Sequence, residues 1–563
     1  MYLRSIQRRN LDGSIVRYLQ LAHNEWDPAT KQARAKVIHS FGREDALDRD
    51  AIHRLIKSLT RALDPAQALT LTENAELAFV DSRPLGGAWT LDHLWRRLGI
   101  RASMERLLTA RRLHPRTERV LFALVANRAL KPLSKLAATT WVANQVAIDG
   151  LETLDDQTCY RAMDWLLEVE AELTEAIYFS VADLLNLEVD LLFFDTTSTY
   201  FEIDEPDAAE LDADGCVIEP SFRTYGHSKD HRGDLPQVVV GMAVTRQGIP
   251  IRVWVWPGNT ADATLIEQVR DDLRAWKLNR VVWVADTGFN SVANRRYLQR
   301  AGGHYILGEK LRGDSAEARA ALERQGRYRT VAGNLTVKEV VVEHGSQRDR
   351  FVICRNPDAA TRDAAVREEL IAQLQTAIKD SDRLPAGKRQ ELLGKLSTKP
   401  ALKRFLRTTP GGLLRIDRAA VESEARLDGK FLLRTSDPSL SAEDVALGYK
   451  QLLEVERGWR DLKTALVLRP VFHRKQERIR AHVLLCWLAL LLIRVAELAT
   501  DDTWRHLRDE LDRMHLGTFR GTAGVTRRRT ELTNRQRQIL AALQVPEPPL
   551  FTQLQPAALD QPA

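Results

Sequence analysis

The chain of 563 residues contains only four cysteines, Cys159, Cys216, Cys354 and Cys486, and they are scattered. No CxxC pair and no Cys/His ligand spacing connects them, which argues against a disulfide framework or a structural zinc site and points to a reducing, cytoplasmic setting. Long apolar runs are missing as well. The longest, Val483 to Ile493, has 11 residues, whereas a membrane span needs about 20; it reads as a buried core helix, and no membrane partner is expected. The amino terminus MYLRSIQRRN is charged and has no apolar signal core, so secretion is not expected. Nor does one charge dominate: 82 Lys and Arg stand against 76 Asp and Glu, a net +6. Local basic surfaces can therefore hold a polyanion, but net charge does not demand one.

What is present divides by pattern, and the length suggests three or four units. Residues 1–80 read as a small mixed α/β module, with β-like SIVRYLQLAH and QARAKVIHSFG before a helix RDAIHRLIKSLTRAL that stops at Asp64-Pro65. Residues 81–188 carry a helical apolar period, as in RTERVLFALVANRAL. From Leu191 the pattern turns to strands: LLFFD, QVVVGMAV and IPIRVWVWP, with a turn at Gln247-Gly248. A helix capped at Asn259-Thr260 and the strand RVVWVAD follow. Three strands in meander, a helix and another strand is the order of a ribonuclease H-like core, so the expected class is α/β, with residues 189–311 as the first part of that core. Residues 312–430 read as a β-rich insertion, 431–500 as the second part of the core, and 501–563 as a helical segment with a Pro-rich, disordered tail.

Three acids stand out. Asp195 ends the apolar run LLFFD, Asp286 ends VVWVAD, and Glu456 lies in the helical stretch YKQLLEVERGWRDLK. Both aspartates are expected to emerge at strand ends on one edge of a buried sheet. Tyr449, Glu456 and Lys463 are spaced by seven, close to two helical turns, so one continuous helix would align them in a stripe about 21 Å long. Crowded carboxylates repel one another unless cations neutralise them. Divalent ions with a preference for oxygen do so; Mg²⁺ fits, and Mn²⁺ is a plausible substitute. Two such ions can serve an in-line phosphodiester displacement.

These residues resemble the DDE transposases of bacterial insertion sequences, in the IS-four-like group with a Tyr-x2-Arg-x3-Glu-x6-Lys signature. Asp195 in FFDTTSTYFE, Asp286 in ADTGFNS, and Tyr449, Glu456 and Lys463 match that pattern, while YGHSKDHRGDLPQVVVGMAV and PGNTAD resemble stretches of its core. The signature arginine falls at Leu452, and neighbouring Lys450, Arg457 or Arg460 can stand in for its guanidinium. The resemblance implies Asp195, Asp286 and Glu456 as catalytic and metal-holding residues, with Tyr449 and Lys463 contacting DNA. It also implies double-stranded DNA partners (terminal inverted repeats and target DNA), a homodimer or larger assembly in the synaptic complex, and a nucleoid-associated bacterial protein. Residues 81–188 become the expected DNA-binding domain.

Other residues invite two readings. Lys229 and Arg232 can line the DNA path or tie their loop by ion pairs. Trp459 can stack on a base or pack in the core, and Arg460 can contact phosphate or face solvent. The basic run TRRRTELTNRQRQ at 526–538 is a solvated helix face or a phosphate contact. His227 and His231, four apart, lack a third ligand for zinc. Two alternatives to an active transposase remain at this stage: a non-catalytic inverted-repeat-binding remnant or regulator, and a ribonuclease H-like cellular nuclease.

Overall fold

A computed structural model describes all residues except 11–14, 28–31, 64–77, 188, 213, 215, 275, 277–280, 313–314, 345–346, 470, 472, 522–523 and 557–563. The chain forms two compact units, one comprising Met1–Arg83, Met514–Leu532 and Glu547–Ala563, the other Pro84–Arg513 and Thr533–Pro546.

The first unit has an antiparallel meander of Tyr2–Arg9, Ile15–Asp27 and Gln32–Arg43, followed by the helix Arg49–Leu63. The expected stop at Asp64-Pro65 lies outside the described residues. A second sheet runs in the order Phe551–Pro556, Gly524–Arg529, His515–Gly521 and Ala78–Pro84. The expectation of a helical segment with a disordered tail is corrected in part: the helices Trp504–Leu511 and Asn534–Ala542 are present, but strands occupy much of 515–529 and Phe551–Pro556 pairs with Gly524–Arg529, while the tail's residues 557–563 lie outside the described residues. The basic run is likewise no single helix. Thr526–Arg529 ends a strand, and Thr533 caps the helix Asn534–Ala542.

In the second unit, residues 86–184 fold into six α-helices, from Gly86–Arg97 to Glu170–Leu184, as the 3.6-residue period predicts. The chain then enters a nine-stranded sheet. Its strands, in chain order, are β1 (Leu191–Tyr200), β2 (Gln237–Val244), β3 (Pro250–Pro257), β4 (Val282–Ala285), β5 (His304–Glu309), β6 (Arg329–Ala332), β7 (Leu335–His344), β8 (Gln347–Arg355) and β9 (Lys430–Thr435). Their spatial order is β6-β7-β8-β9-β5-β4-β1-β2-β3. Only β1, β4 and β5 are mutually parallel neighbours; the other pairings are antiparallel.

The segment expected to be a β-rich insertion is corrected in two ways. Its long strands β7 and β8 extend the core sheet through β9, and the rest is mainly helical, including Pro357–Ile378 and Ala386–Ser397. The physical reason is edge satisfaction. An exposed strand edge is a row of unpaired backbone groups, and β8 covers the side of β9 that faces away from β5.

One face of the sheet presents Leu192, Phe194, Trp283, Ala285 and Leu307 to Ile266, Val269 and Leu273 of the helix α1 (Ile266–Arg274). The helices α2 (Ala442–Lys450), α3 (Leu453–Thr464) and α4 (Gln476–Thr500) follow β9. Gly448 of α2 lies against Leu191 and Ile306, and Gly458 of α3 lies against Met242. These helices thus cover the opposite face. Helix α4 is apolar all round and, by length and composition, could cross a bilayer, but 78% of its apolar window is buried inside the protein. It packs on the helices Arg116–Leu130 and Asp156–Glu168 as well as on β3 and α3, the behaviour of a core helix.

Arg494 fixes α4 to α3. Only 2% exposed, it pairs with Asp461 at 2.7 Å and Glu497 at 2.6 Å, and Glu497 also receives Arg457 at 3.1 Å. Burial pushes the Asp461 carboxyl up, and Arg494 opposes that shift. Removing the guanidinium strands two carboxylates in a poorly hydrated place. Arg494→Ala is therefore expected to lower unfolding free energy by about 3–5 kcal/mol in urea melts; a loss below about 1 kcal/mol, the range of exposed pairs, would show that the network does not anchor α3.

Candidate active site

β1 and β4 run parallel with Val282 opposite Leu191 and Val284 opposite Phe193. Two residues further along this register, Asp286 comes level with Asp195. β4 ends at Ala285, so β1 loses its neighbour on that side while its pairing with β2 continues, Asp195 opposite Met242. The expectation that Asp195 ends a strand is thus corrected. The strand runs to Tyr200, with Thr196–Thr199 buried; what stops before Asp195 is the parallel pairing, whose last partners are Val284 and Phe193. Asp286 begins a short 3₁₀ turn, its Oδ1 accepting the Gly288 N–H at 2.7 Å.

On the far side of β4, Leu307 of β5 lies opposite Ala285, which brings Gly308 level with Asp286. A Cβ at position 308 would sit 2.5 Å from the Tyr449 hydroxyl and 3.0 Å from Thr287 Cγ2. The phenol reaches this edge because that position has no side chain. The Tyr449 ring stacks on Phe431 with centroids 6.1 Å apart. Burial raises its phenol well above the usual range, and the negative charges of Asp286, Asp195 and Glu456 raise it further. All three acids singled out in the sequence are therefore within electrostatic reach of one hydroxyl, which stays protonated and able to donate. Glu456 is exposed and lines a cleft of about 370 Å³ with Asp286, Tyr449, Lys450, Phe431 and Leu452.

The single helical stripe is corrected. Tyr449 belongs to α2, Glu456 and Lys463 to α3, and between them the chain tightens into i to i−3 bonds: Leu452 N–H to Tyr449 O at 3.0 Å, Glu454 N–H to Gln451 O at 2.9 Å and Val455 N–H to Leu452 O at 3.1 Å. Three residues per turn replace 3.6 there, so the three side chains do not lie along one continuous helix, although Tyr449 and Glu456 still line the same cleft. Leu452, at the signature-arginine position, is 9% exposed and forms part of the cleft wall.

Sequence reading missed one acid. Asp262, the last residue of PGNTAD, opens a 3₁₀ turn after β3 and joins the cluster: it accepts the Thr196 hydroxyl at 2.6 Å and lies 3.3 Å from Lys229 Nζ. Asp262 and Asp286 both approach Gly288. The resemblance of PGNTAD was the available signal, but a polar turn gave no strand end to point to its acid.

Lys229 stands among these groups. Its Nζ donates to Thr196 O at 2.7 Å and Thr196 Oγ1 at 2.6 Å and lies 3.6 Å from Asp195 Oδ1. The loop that delivers it is closed by reciprocal backbone bonds between Thr224 and Gln237, and Gly226 meets the Gly258 carbonyl so tightly that a Cβ would sit 1.9 Å from the oxygen. Asp195, 17% exposed, is pushed up to about 6, first by burial and then by Asp286 and Asp262; Lys229 and the Thr196 N–H oppose the shift.

The remaining candidates separate. Lys463 pairs with Asp230 at 2.8 Å, and Arg232 pairs with Asp234 at 2.8 Å while lying over the Tyr200 ring. Arg460 is exposed. Trp459 is 6% exposed on the packed face of α3 beside Val455 and Leu462, so its indole faces the core and not solvent. That is a correction of the base-stacking reading: the apolar side of an amphipathic helix was the stronger demand on a large ring.

The donor set suits a hard divalent cation. Carboxylate oxygens converge where the Lys229 ammonium already sits among them, and burial makes Asp195 uncomfortable as an anion. Among the described residues, however, no three His, Cys, Asp or Glu side chains gather tightly enough to hold one ion. Asp286 and Glu456 line the cleft together, and Asp195 and Asp262 meet at Lys229 beside it.

A family model described as the transposase DDE domain matches residues 198–492, a span that holds Asp286 and Glu456 and begins just beyond Asp195. A second, described as the N-terminal domain of IS1634 family transposases, matches residues 3–69. No curated protein matches the chain. Among solved structures it is similar to the piggyBac transposase in a synaptic complex with hairpin DNA, at 10% identity over 70% of each chain with a TM-score of 0.33.

Two outcomes test this geometry. With Asp195 at about 6 in the fold and about 3.9 unfolded, the folded chain binds more protons between those values, so its stability is full below about pH 4 and declines as pH rises to about 6. Asp195→Asn is expected to remove that decline and to be about 3 kcal/mol more stable than the parent above pH 7 without divalent ions; a gap between the two that does not vary with pH would reject the assignment. Gly308→Ala is expected to cost about 1–3 kcal/mol by overpacking, and Tyr449→Phe should relieve part of that cost in a double-mutant cycle. Strict additivity of the two substitutions would mean that the hydroxyl does not occupy this niche.

Proposed function

We propose how this chain, which belongs to the transposase DDE-domain family and is a DNA transposase of the insertion-sequence kind, carries out its reaction. Its core is of the ribonuclease H-like kind. That reading is supported by the order β3-β2-β1-β4-β5, with β1, β4 and β5 parallel and β2 reversed. The chain binds the terminal inverted repeats of its element, cleaves phosphodiester bonds at their ends and joins the 3′-hydroxyls to target DNA. Asp195, Asp286 and Glu456 are its catalytic acids. The observation that supports the assignment most is one cleft lined by Asp286, Tyr449 and Glu456, beside a strand register that sets Asp195 level with Asp286.

Those acids, with Asp262 beside Asp195, would hold Mg²⁺ or Mn²⁺. A divalent cation there would supply positive charge to the scissile phosphate and lower the cost of a developing oxyanion. The chain's own residues do the rest. The paired strands β1 and β4 hold Asp195 and Asp286 in fixed register, and α3 brings Glu456 to the cleft that Asp286 lines. Tyr449, kept protonated, donates to a phosphate oxygen. Lys450 at the end of α2 and Arg460 on α3 extend toward the DNA strand, and Lys229, Arg232 and Lys463 engage it after exchanging their present carboxylate partners. Two element ends are handled together by a homodimer or larger assembly.

Asp286→Asn or Glu456→Gln is expected to lower nicking of end-containing DNA in Mg²⁺ by at least about 10³-fold while end binding, read by gel shift, changes less than about threefold. Parent-like nicking by either variant would remove that residue from the site. Binding of ends by the parent without any nicking would instead support an inverted-repeat regulator.

A further inference from the structure

The loop Gly226–Asp234 places two adjacent residues of opposite charge against two oppositely charged surfaces. Lys229 puts its ammonium among Asp195, Asp262 and the Thr196 oxygens. Asp230, the next residue, puts its carboxylate between Lys463 at 2.8 Å and Arg469 at 3.2 Å. Both atoms of Lys229 that can donate are engaged, since its backbone N–H bonds the Ser198 hydroxyl at 2.9 Å. The turn is closed behind them by the His231 N–H on Ser228 O at 3.2 Å and the Arg232 N–H on Ser228 Oγ at 3.0 Å. His231 takes a left-handed φ of 57°, a conformation that costs a non-glycine residue free energy and persists where surroundings impose it.

We propose that Lys229-Asp230 is a built-in stand-in for the two things the site receives: the ammonium occupies the place of the cation, and the Asp230 carboxylate occupies the place of a DNA phosphate between Lys463 and Arg469. The second half rests on the reading of Lys463 as a DNA contact. The loop then holds the empty site in electrostatic balance. Without Lys229, the aspartates would lose the ammonium that sits among them; without Asp230, a lysine 17% exposed and an arginine 24% exposed would lose the carboxylate they share. Arg469 is also held flat over the Tyr200 ring, 4.2 Å from its centroid, so its guanidinium is set in position before any ligand arrives.

The Asp230 to Arg469 pairing is imperfect. Asp230 Oδ2 and one Arg469 terminal nitrogen are both buried, 3.2 Å apart, yet their orientation does not make a hydrogen bond. A tetrahedral phosphate offers acceptors in more directions than one carboxylate, so exchange gains bonds that the resting pair does not make. Because the two residues are neighbours in the chain, displacement of Asp230 by phosphate draws Lys229 away from Asp195 and Asp262. DNA seating and opening of the cation site are thereby one movement. This makes Asp230 a positioning residue that restrains premature engagement.

The test uses the full chain and a duplex carrying an element end. Asp230→Asn keeps the shape and removes the charge. It is expected to tighten end binding about tenfold at low salt, and to steepen the salt dependence by about one to two phosphate equivalents, because Lys463 and Arg469 are freed. Unchanged or weaker binding overturns the proposal. Lys463→Ala and Arg469→Ala, measured alongside, keep the two readings apart: if neither weakens binding, the DNA-contact reading has failed; if they weaken it but Asp230→Asn does not tighten it, the stand-in has failed. On the unaltered chain, backbone amides of residues 226–234 are expected to lose hydrogen-exchange protection when the duplex is added, and unchanged protection counts against the exchange. For the cation half, Lys229→Gln is expected to bind Mn²⁺ alone more tightly than the parent by calorimetry; weaker Mn²⁺ binding overturns it.

Discussion

The parallel pairing of β1 with β4, in the register that sets Val284 opposite Phe193, is the constraint on which the site depends. It brings two aspartates 91 positions apart in the chain to the same level of one sheet, and it does so with backbone bonds, which cannot slip by one residue without turning a buried face outward. β4 then stops one residue short of Asp286. The gap it leaves beside β1 is where Asp195 faces Lys229, Asp262 and the helices of the opposite face. Every other group in the site is placed against that pair: Tyr449 over Gly308 on the neighbouring strand, and Glu456 in the cleft on a helix held by buried Arg494.

The energetics of the site run against the fold's own preferences. Burial raises Asp195 to about 6, so the protein carries an anion where solvation is poor. Lys229 offsets part of that cost with its ammonium and Thr196 with its backbone N–H. Sites that must receive cations and phosphate are commonly built this way, since a fully satisfied cluster would gain nothing from a ligand. The loop from Gly226 to Asp234 resolves the conflict locally, with one residue of each sign. The backbone approach of Gly226 to Gly258 and the Thr224 to Gln237 bonds keep that loop from drifting off the sheet edge.

Much of the architecture was legible residue by residue. The continuous apolar runs LLFFD and VVWVAD mark strands buried on both faces, and the 3.6-residue period of 86–184 marks helices. The misreadings have particular causes. Asp195 looked like a strand end because apolar character stops there, but Thr196–Thr199 are buried by pairing with β2, which no local pattern announces. The seven-residue spacing of Tyr449, Glu456 and Lys463 assumed an unbroken helix, whereas the tight turn at Gln451-Leu452 leaves all φ, ψ values helical and therefore has no strong local signature. The strands at 515–529 and 551–556 are polar and partly basic, and they gain their order from sheet partners distant in sequence.

By itself the sequence determined the helices of 86–184 and the apolar strands of the core, since those depend on side-chain periodicity over a few residues, and it singled out Asp195, Asp286 and Glu456, since their neighbours resemble those of a known family. Only the tertiary structure decided which charges meet. The membership of Asp262, the burial of Trp459, the engagement of Lys463 by Asp230 and the niche for Tyr449 over Gly308 all depend on distances between elements far apart in the chain. Electrostatic interaction and burial depend on those distances and on excluded water, and neither is written into any single stretch of sequence.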